Sequence, residues 1–405
     1  MATLSRSRPA LNRRTLLAAL AGSSLAPALP VRLAHADGAA DNAALAEVLR
    51  KAWEGRYAGK AGGLTMIIQS PKQGYFASTI PGVTETSFFR GASITKTFTA
   101  ASIMLLDAQG KLRIDDRIAD PMPGRSEPYL PEGAGYAIPY RDQITIRQLL
   151  SHRAGVFDLA NMPMPKDLAV PYAGEVYTDW RVAQDPEHTF TPDELIGVLA
   201  TTQVSRNPPG DAQHYSDTHY TLLERIVQNV SGLPLDEFKQ QEFLVPNGLV
   251  NTHFVVDGKD SKLPSPAIAG HNLDSNGVTL AQDYNYTYDP GSGNLVTTPA
   301  DLVRWIRRLI RGEAGLPESQ VTRMMDMAEG SDYGLGILRK SSGDVFLGYG
   351  HNGGTAGYLT DALHNPDNDV SYVLQSSLID FIDLGGELDW LGVVAKDALQ
   401  RLGLV

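Results

Sequence analysis

Phe88-Phe89-Arg90-Gly91-Ala92-Ser93-Ile94-Thr95-Lys96 is followed by an almost entirely apolar run from Thr97 to Leu106. The pattern predicts a strand that leads through a turn into a buried helix, whose first turn lies at the end of a sheet. Positions i and i+3 share one face of a helix, so the Lys96 amine can reach the Ser93 hydroxyl. If burial lowers the lysine pKa, the neutral amine can accept the serine proton. This segment therefore indicates a serine nucleophile with its own base.

Two later segments place further polar groups beside regular elements. Tyr215 precedes Ser216-Asp217 and an amphipathic run from Leu222 to Val230, which predicts a loop position just before a helix. His351-Asn352-Gly353-Gly354 follows the strand-like run Val345 to Gly350. Glycines at the end of a strand let a backbone edge approach a ligand closely.

In their order along the chain, Ser-x-x-Lys, Tyr-Ser-Asp and His-Asn-Gly resemble the three motifs of the penicillin-recognising serine hydrolases. The similarity is greatest to the branch of class C β-lactamases, serine D-alanyl-D-alanine carboxypeptidases and related esterases, and it spans roughly residues 60 to 380. Connecting segments such as Ser151-His152-Arg153-Ala154-Gly155 and Tyr333-Gly334-Leu335-Gly336 share it. The resemblance implies an α/β (α+β) fold, with helices flanking an antiparallel sheet and a mostly helical lobe inserted.

The resemblance also implies acyl transfer through a covalent serine ester, with no metal and no organic cofactor. Ser93 would attack a carbonyl, and Lys96 and Tyr215 would share the general-base role, with Tyr215 returning a proton to the leaving group. The strand edge at Gly353 and Gly354 would contact the substrate. The backbone N–H groups of Ser93 and Gly354 would form the oxyanion hole.

Further positions bear on the choice of substrate. His351 would set the electrostatic field around Tyr215 or a substrate carboxylate. Asp217 stands where the family more often has Asn, and an ionised carboxylate accepts a hydrogen bond but cannot donate one. A free C-terminal carboxylate needs a cation, for which Arg339 and Lys340 are the candidates, since alternation along a strand aims only one of them at the cleft.

The resemblance implies a small substrate: a D-alanyl-D-alanine peptide end or a related D-amino-acid amide. A β-lactamase or an esterase on the same scaffold is the alternative enzyme. A non-catalytic protein that binds cell-wall peptides is the alternative of another class, against which the intact nucleophile motif argues. A metal site at His214, Asp217 and His219 is a weaker interpretation, because no HExxH helix accompanies these residues.

The amino-acid composition excludes some classes of function. The 405-residue chain is 42% hydrophobic and 20% charged, with a formal net charge of −11. Such an acidic balance argues against nucleic acid as a partner. The chain contains no cysteine, which excludes disulfides, thiol nucleophiles and thiolate metal sites.

Residues 1–36 are interpreted as an export signal. Arg13-Arg14 precedes an apolar stretch to about Leu29, and Ala34-His35-Ala36 offers a small-x-small cleavage site. This pattern indicates a twin-arginine signal, with an ordinary secretory signal as the alternative. The mature protein would begin near Asp37 and be periplasmic or secreted, without stable membrane insertion, since no later apolar stretch is long enough to span a bilayer.

Residues 37–405 are expected to form a single catalytic unit. An α/β lobe would comprise about 37–110 and 295–405, and a helical lobe about 111–294. Predicted strands are 64–69, 75–80, 334–338, 345–349, 358–363 and 370–375, while 162–181 and 257–288 are interpreted as loops. Predicted helices include 42–53, 388–402 and one starting at Thr298-Pro299, and a capping box is expected at Thr191 and Glu194.

Overall fold

A computed structural model of the protein describes residues 39–281 and 283–405. The predicted export segment 1–36 lies outside these residues. The strands are β1 Leu64–Gln69, β2 Gly74–Ser78, β3 Phe89–Arg90, β4 His253–Phe254, β5 His271–Asp274, β6 Gly277–Leu280, β7 Leu295–Thr297, β8 Leu338–Ser342, β9 Val345–Thr355, β10 Tyr358–Asn365, β11 Val370–Ser376 and β12 Leu378–Asp380. The α-helices are α1 Ala39–Tyr57, α2 Thr95–Ala108, α3 Ile146–Leu150, α4 Tyr177–Gln184, α5 Pro192–Thr202, α6 Asp217–Ser231, α7 Leu235–Lys239, α8 Val245–Asn247, α9 Pro299–Ile310, α10 Glu318–Met325 and α11 Leu384–Arg401.

The main sheet has the strand order β2-β1-β11-β10-β9-β8, and each neighbouring pair is antiparallel. Strands β10 and β11 are buried along their whole length, since both faces of the sheet are covered. Leu363 and Tyr372 join the apolar cluster formed with α1 and α11, whereas Ala362 and Val373 join the larger cluster that includes α2 and α9. Successive side chains of each strand thus point to opposite faces of the sheet, and an apolar cluster covers each face.

Helix α2 forms the centre of the larger cluster. Every residue from Thr95 to Leu106 is buried, as the apolar run predicted. Phe98 stacks on Trp305 of α9 with ring centroids 3.8 Å apart, and the Trp305 indole donates a hydrogen bond of 2.8 Å to Thr97 Oγ1. The predicted fold class, an antiparallel sheet flanked by helices with an inserted helical region, is confirmed.

Some local predictions are wrong. The strand expected at 334–338 begins only at Leu338, because Gly336 adopts a φ of +75° in a turn packed against Ala100 of α2. Segment 162–181 contains the first turn of α4, and 257–288 contains the β5–β6 hairpin. Strand β5 pairs in parallel with β12, and a partner so distant in the chain leaves no local sequence pattern.

The predicted capping box at the start of α5 is half formed. Thr191 Oγ1 accepts a hydrogen bond from the Glu194 N–H at 3.2 Å. The Glu194 carboxylate instead accepts from Tyr177 Oη at 2.8 Å and contacts His188 Nε2 at 2.7 Å. The Glu194 carboxylate therefore binds residues from other segments, and it does not bind the backbone N–H of Thr191 that would complete the capping box.

The described residues fall within one compact unit, His35–Val405. The main sheet draws its strands from 64–78 and 338–376, which flank the predicted helical lobe in sequence. The lobe boundaries remain a prediction. Across the described ranges, none of the helices combines the length and apolar character that a bilayer crossing requires.

Candidate active site

The turn between β3 and α2 presents Ser93. Ala92 to Ile94 form a single 3₁₀ turn, and Ala92 has a φ of +47°, a left-handed conformation that is costly for a residue with a Cβ. Thr95 Oγ1 holds this turn by donating to the Ala92 carbonyl at 2.7 Å. Gly353 of β9 packs against it so closely that a side chain there would collide with the Gly91 carbonyl oxygen. The glycine thus allows β9 to approach the Ser93 turn closely, and the predicted approach to a ligand remains a prediction.

Lys96 lies in the first turn of α2 and is fully buried. Its Nζ donates to Ser93 Oγ at 3.0 Å and to the Ser292 carbonyl at 3.1 Å, and it pairs with Asp217 Oδ1 at 2.6 Å. Burial is the largest single influence and lowers the pKa of Lys96, but its acidic neighbours, Asp217 first and then Tyr215 and Asp289, together outweigh burial and raise that pKa above its usual value of 10.5. The direction of this pKa does not favour the neutral lysine that was considered from sequence: it favours a resting ammonium, held by two hydrogen bonds and one ion pair.

Asp217 is the first residue of α6 and links Lys96 to a second carboxylate. Its Oδ2 accepts from Asn161 Nδ2 at 2.7 Å, and the same Nδ2 donates to Asp158 Oδ2 at 3.0 Å. The Asp217 N–H also donates to Asp158 Oδ2 at 3.3 Å. Burial and the nearby Asp217 charge raise the pKa of Asp158 to about 7. Asn161 and Asp158 carried no motif signal, so sequence reasoning missed them.

Tyr215 lies on the loop before α6, as predicted. The Lys96 Nζ is 4.8 Å from the centroid of its ring. Although 45% of Tyr215 is exposed, burial around its hydroxyl raises the pKa, opposed chiefly by the charge of Lys96. The phenol is thus protonated at neutral pH and lies beside Lys96.

His351 is buried in β9 and reaches the cluster through Tyr333. Its Nδ1 lies 2.5 Å from the Asn352 carbonyl and its Nε2 lies 2.9 Å from Tyr333 Oη. Burial and the Lys96 charge lower the pKa of His351 to about 3, so the ring is neutral. A carbonyl only accepts, so the proton sits on Nδ1 and Tyr333 donates to Nε2. The Tyr215 and His351 ring centroids are 6.4 Å apart.

Arg339 and Lys340 are not brought to this cluster. Arg339 is exposed on β8 with its guanidinium 4.8 Å from the centroid of the Phe346 ring. Lys340 points to the other side, where its Nζ binds Asp361 at 2.5 Å and the Leu388 carbonyl at 3.1 Å. Lys340 is therefore paired away from the cleft, whereas a role of Arg339 as a carboxylate receptor remains a prediction.

Strand β9, which is predicted to contribute a backbone N–H to the oxyanion hole, extends beyond its pairing with β8. Strand β9 pairs with β8 only up to Gly350, so residues 351–355 extend beyond that pairing. Gly353 and Gly354 pair with Thr360 and Leu359 of β10 on the other edge. The stretch thereby lies against the Ser93 turn, which is where a strand-edge donor is needed; the oxyanion hole itself remains a prediction.

His214 and His219 do not form the metal site considered from sequence. The His219 ring bonds to His152 Nδ1 at 3.0 Å and to the Val156 N–H at 3.2 Å. Among the residues described, no group of three or more potential ligands is arranged to hold a metal ion. His152 and Tyr333 both lie in segments that carried the family resemblance, and that was the one signal for them.

Comparison with known proteins identifies the family and similar folds. The β-lactamase family model matches residues 45–379. A penicillin-binding protein of Bacillus subtilis is 24% identical over 72% of this chain and 61% of its own length, so the chain spans about three fifths of that curated relative.

Two solved structures share the fold at a TM-score of 0.70. One is a D-amino acid amidase from Ochrobactrum anthropi, 20% identical, with 90% of this chain and 99% of that chain covered. The other is a D-stereospecific amidohydrolase from a Streptomyces species, 22% identical, with 88% and 98% covered. The match to the family model extends over most of the sequence, which leads to one conclusion: the chain belongs to the β-lactamase family.

Proposed function

We propose that this protein hydrolyses amides of D-amino acids, or short peptides ending in them, through an acyl-enzyme on Ser93. The observation that carries the proposal is the ion pair of 2.6 Å between Lys96 and Asp217. It neutralises the lysine charge beside the nucleophile and places a carboxylate where a substrate carboxylate would be repelled. An uncharged amide or ester avoids that repulsion.

The protonation states support a relay through Tyr215. The Lys96 ammonium donates to Ser93 Oγ and stabilises negative charge that develops there. As Ser93 Oγ attacks the carbonyl carbon, its proton passes to the Tyr215 oxygen, and Tyr215 passes its own proton to the leaving nitrogen. The C–N bond then breaks and the amine departs. Water enters by the reverse route and releases the acid.

The solved structures with a similar fold support an amide as the substrate. The two solved structures are named for D-amino acid amide and D-stereospecific amide chemistry, and both are covered almost completely. The penicillin-binding relative supports the second candidate, a D-alanyl-D-alanine carboxypeptidase. Against that candidate, Lys340 is already paired with Asp361, which leaves, of the two predicted cations, the exposed Arg339 over the Phe346 ring to receive a terminal carboxylate. A β-lactamase faces the same objection, whereas an esterase does not.

Mass spectrometry of the intact protein discriminates these substrates. The protein is mixed in turn with D-phenylalaninamide, a D-alanyl-D-alanine peptide, a penicillin and a p-nitrophenyl ester. We expect turnover of the amide, a transient adduct from the ester, and little reaction with the two carboxylate-bearing compounds. Ser93→Ala is the matched control and should show no adduct. Faster turnover of the D-alanyl-D-alanine peptide than of the amide would contradict the proposal, and so would binding of any of them without adduct or turnover.

A further inference from the structure

A buried histidine pair lies behind Tyr215. His152 follows α3 and His219 lies in the first turn of α6, and both rings are fully buried. The Val156 N–H donates to His219 Nε2 at 3.2 Å, so the neutral His219 ring carries its proton on Nδ1. That Nδ1–H donates to His152 Nδ1 at 3.0 Å. The Ser216 N–H donates to the same His152 nitrogen at 3.2 Å.

These contacts define the state of His152. Burial and the adjacent His219 keep the pKa of His152 far below its usual value, so the ring is neutral. With Nδ1 accepting twice, its proton must sit on Nε2. Within the described part of the chain, this Nε2 is buried without a hydrogen-bond partner. Buried polar groups are nearly always paired, so an unpaired one calls for an explanation.

The surroundings of the ring supply that explanation. Three phenol rings enclose His152: its centroid lies 4.2 Å from that of Tyr215, 4.9 Å from that of Tyr333 and 5.2 Å from that of Tyr220. Its backbone φ of +57° is unusual for a residue with a side chain, which indicates that the ring is held in place against local strain.

We propose that His152 is a positioning residue for Tyr215. Its ring sets the plane of the phenol beside Lys96, and its Nδ1 fixes the Ser216 backbone from which both Tyr215 and Asp217 project. The unpaired Nε2–H of His152 lies among the three phenol side chains. It is a hydrogen-bond donor that is available while Tyr215 accepts and releases protons. The inference rests on the proposed role of Tyr215 in donating a proton to the leaving group, and it does not depend on which acyl group is used.

The test uses leaving groups that differ in their need for a proton. A p-nitrophenyl ester leaves as a stable anion, whereas an alkyl ester of the same acid must be protonated as it leaves. His152→Asn keeps an acceptor near the Nδ1 position, tolerates a positive φ, and removes the ring and the Nε2–H. The matched control is His364→Asn, since His364 is likewise buried, lies on β10 and contacts Ser371 Oγ at 2.9 Å.

We expect His152→Asn to lower kcat/KM for the alkyl ester by at least about tenfold, part of the roughly 10²- to 10⁴-fold that positioned acid–base catalysis supplies. The loss of kcat/KM with the p-nitrophenyl ester should be clearly smaller, because that ester shares the deprotonation of Ser93 but needs no proton on its leaving group. Tyr215→Phe should show the same selectivity for leaving group, and the double variant should be no slower than Tyr215→Phe, since residues that act as a unit are not additive.

Equal losses on both esters, or no loss on either, would overturn the proposal, because a purely structural role affects the two substrates alike. The thermal midpoints of His152→Asn and His364→Asn show whether any loss comes from unfolding. Both esters report on Tyr215 even if D-amino-acid amides prove not to be substrates, so failure of the proposed substrate would be recognised separately.

Discussion

Replacing Asp217 by Asn tests the reasoning on charge most directly. The change keeps the shape of the side chain and removes the negative charge that pairs with Lys96 at 2.6 Å. At an effective dielectric constant of about 20, two unit charges at that separation attract by about 6 kcal/mol. Most of this offsets the desolvation of the buried ammonium, and breaking a buried pair typically costs about 3–5 kcal/mol.

Two opposite effects follow from the loss of charge. The substituted amide can offer its one oxygen to Lys96 or to Asn161 but not to both, and its NH₂ group would face the remaining donor. We therefore expect the free energy of unfolding to fall by about 2–3 kcal/mol, less than for complete loss of the partner. In contrast, kcat/KM for penicillins and carboxylate-bearing peptides should rise about tenfold, equivalent to about 1.4 kcal/mol, because the repulsion is gone and an amide donor is restored.

The assay compares kcat/KM of both proteins on a D-amino-acid amide, a neutral ester and a D-alanyl-D-alanine peptide, with urea unfolding in parallel. Neutral esters should respond less than the peptide, because they carry no charge for Asp217 to repel. Should the Asn variant be slower on all three substrates, the reasoning is refuted. Asp217 would then be a working acceptor in its own right, for Lys96 or for a substrate amide N–H.

Three further outcomes are expected. Ser93→Ala should reduce turnover of every substrate on the order of 10⁶-fold while circular dichroism remains unchanged, and a serine adduct on that variant would refute the nucleophile. The pKa of Asp158 is about 7 in the folded protein and an ordinary 3.8 in the unfolded chain, so between about pH 4 and pH 7 the folded state holds a proton that the unfolded chain has lost. The contribution of Asp158 to stability therefore falls as pH rises through this range, and the thermal midpoint should decline. Asp158→Asn should flatten that decline, as measured by thermal unfolding across the same pH range. The exposed Asp115, whose pKa the Arg147 guanidinium lowers, is the control, since Asp115→Asn should leave that decline in place. Replacing both Arg13 and Arg14 by Lys should block export of a fusion through the twin-arginine route, and unchanged export would favour an ordinary secretory signal.

The sequence alone was sufficient where the physical cause is local. Helical spacing puts Ser93 and Lys96 on one face, and the structure holds their side chains 3.0 Å apart. The sequence also predicted strands at 358–363 and 370–375, and these form the centre of the sheet as β10 and β11. The Tyr215 loop and the glycine-rich end of β9 followed from local patterns of the same kind.

Polar partners from distant segments could not be predicted in this way. Asn161 and Asp158 meet Asp217 from a loop without a motif, and Tyr333 reaches His351 from a separate segment. Short polar segments such as β5 form a strand because they pair with a segment far along the chain, here β12. Each of these contacts depends on how separate segments pack, which side-chain periodicity does not encode.

What the sequence determined about this protein is its set of reactive groups and the fold that presents them: Ser93, Lys96 and Tyr215 in the order and spacing of a serine acyl-transfer enzyme. The tertiary structure alone decided the charge state of those groups. Burial favours a neutral Lys96, and the acidic groups that folding brings to it, Asp217 at 2.6 Å first among them, favour an ammonium. The reason is physical: spacing along a helix is set by local bond geometry, whereas a pKa is set by every charge and dipole that folding brings within a few ångströms.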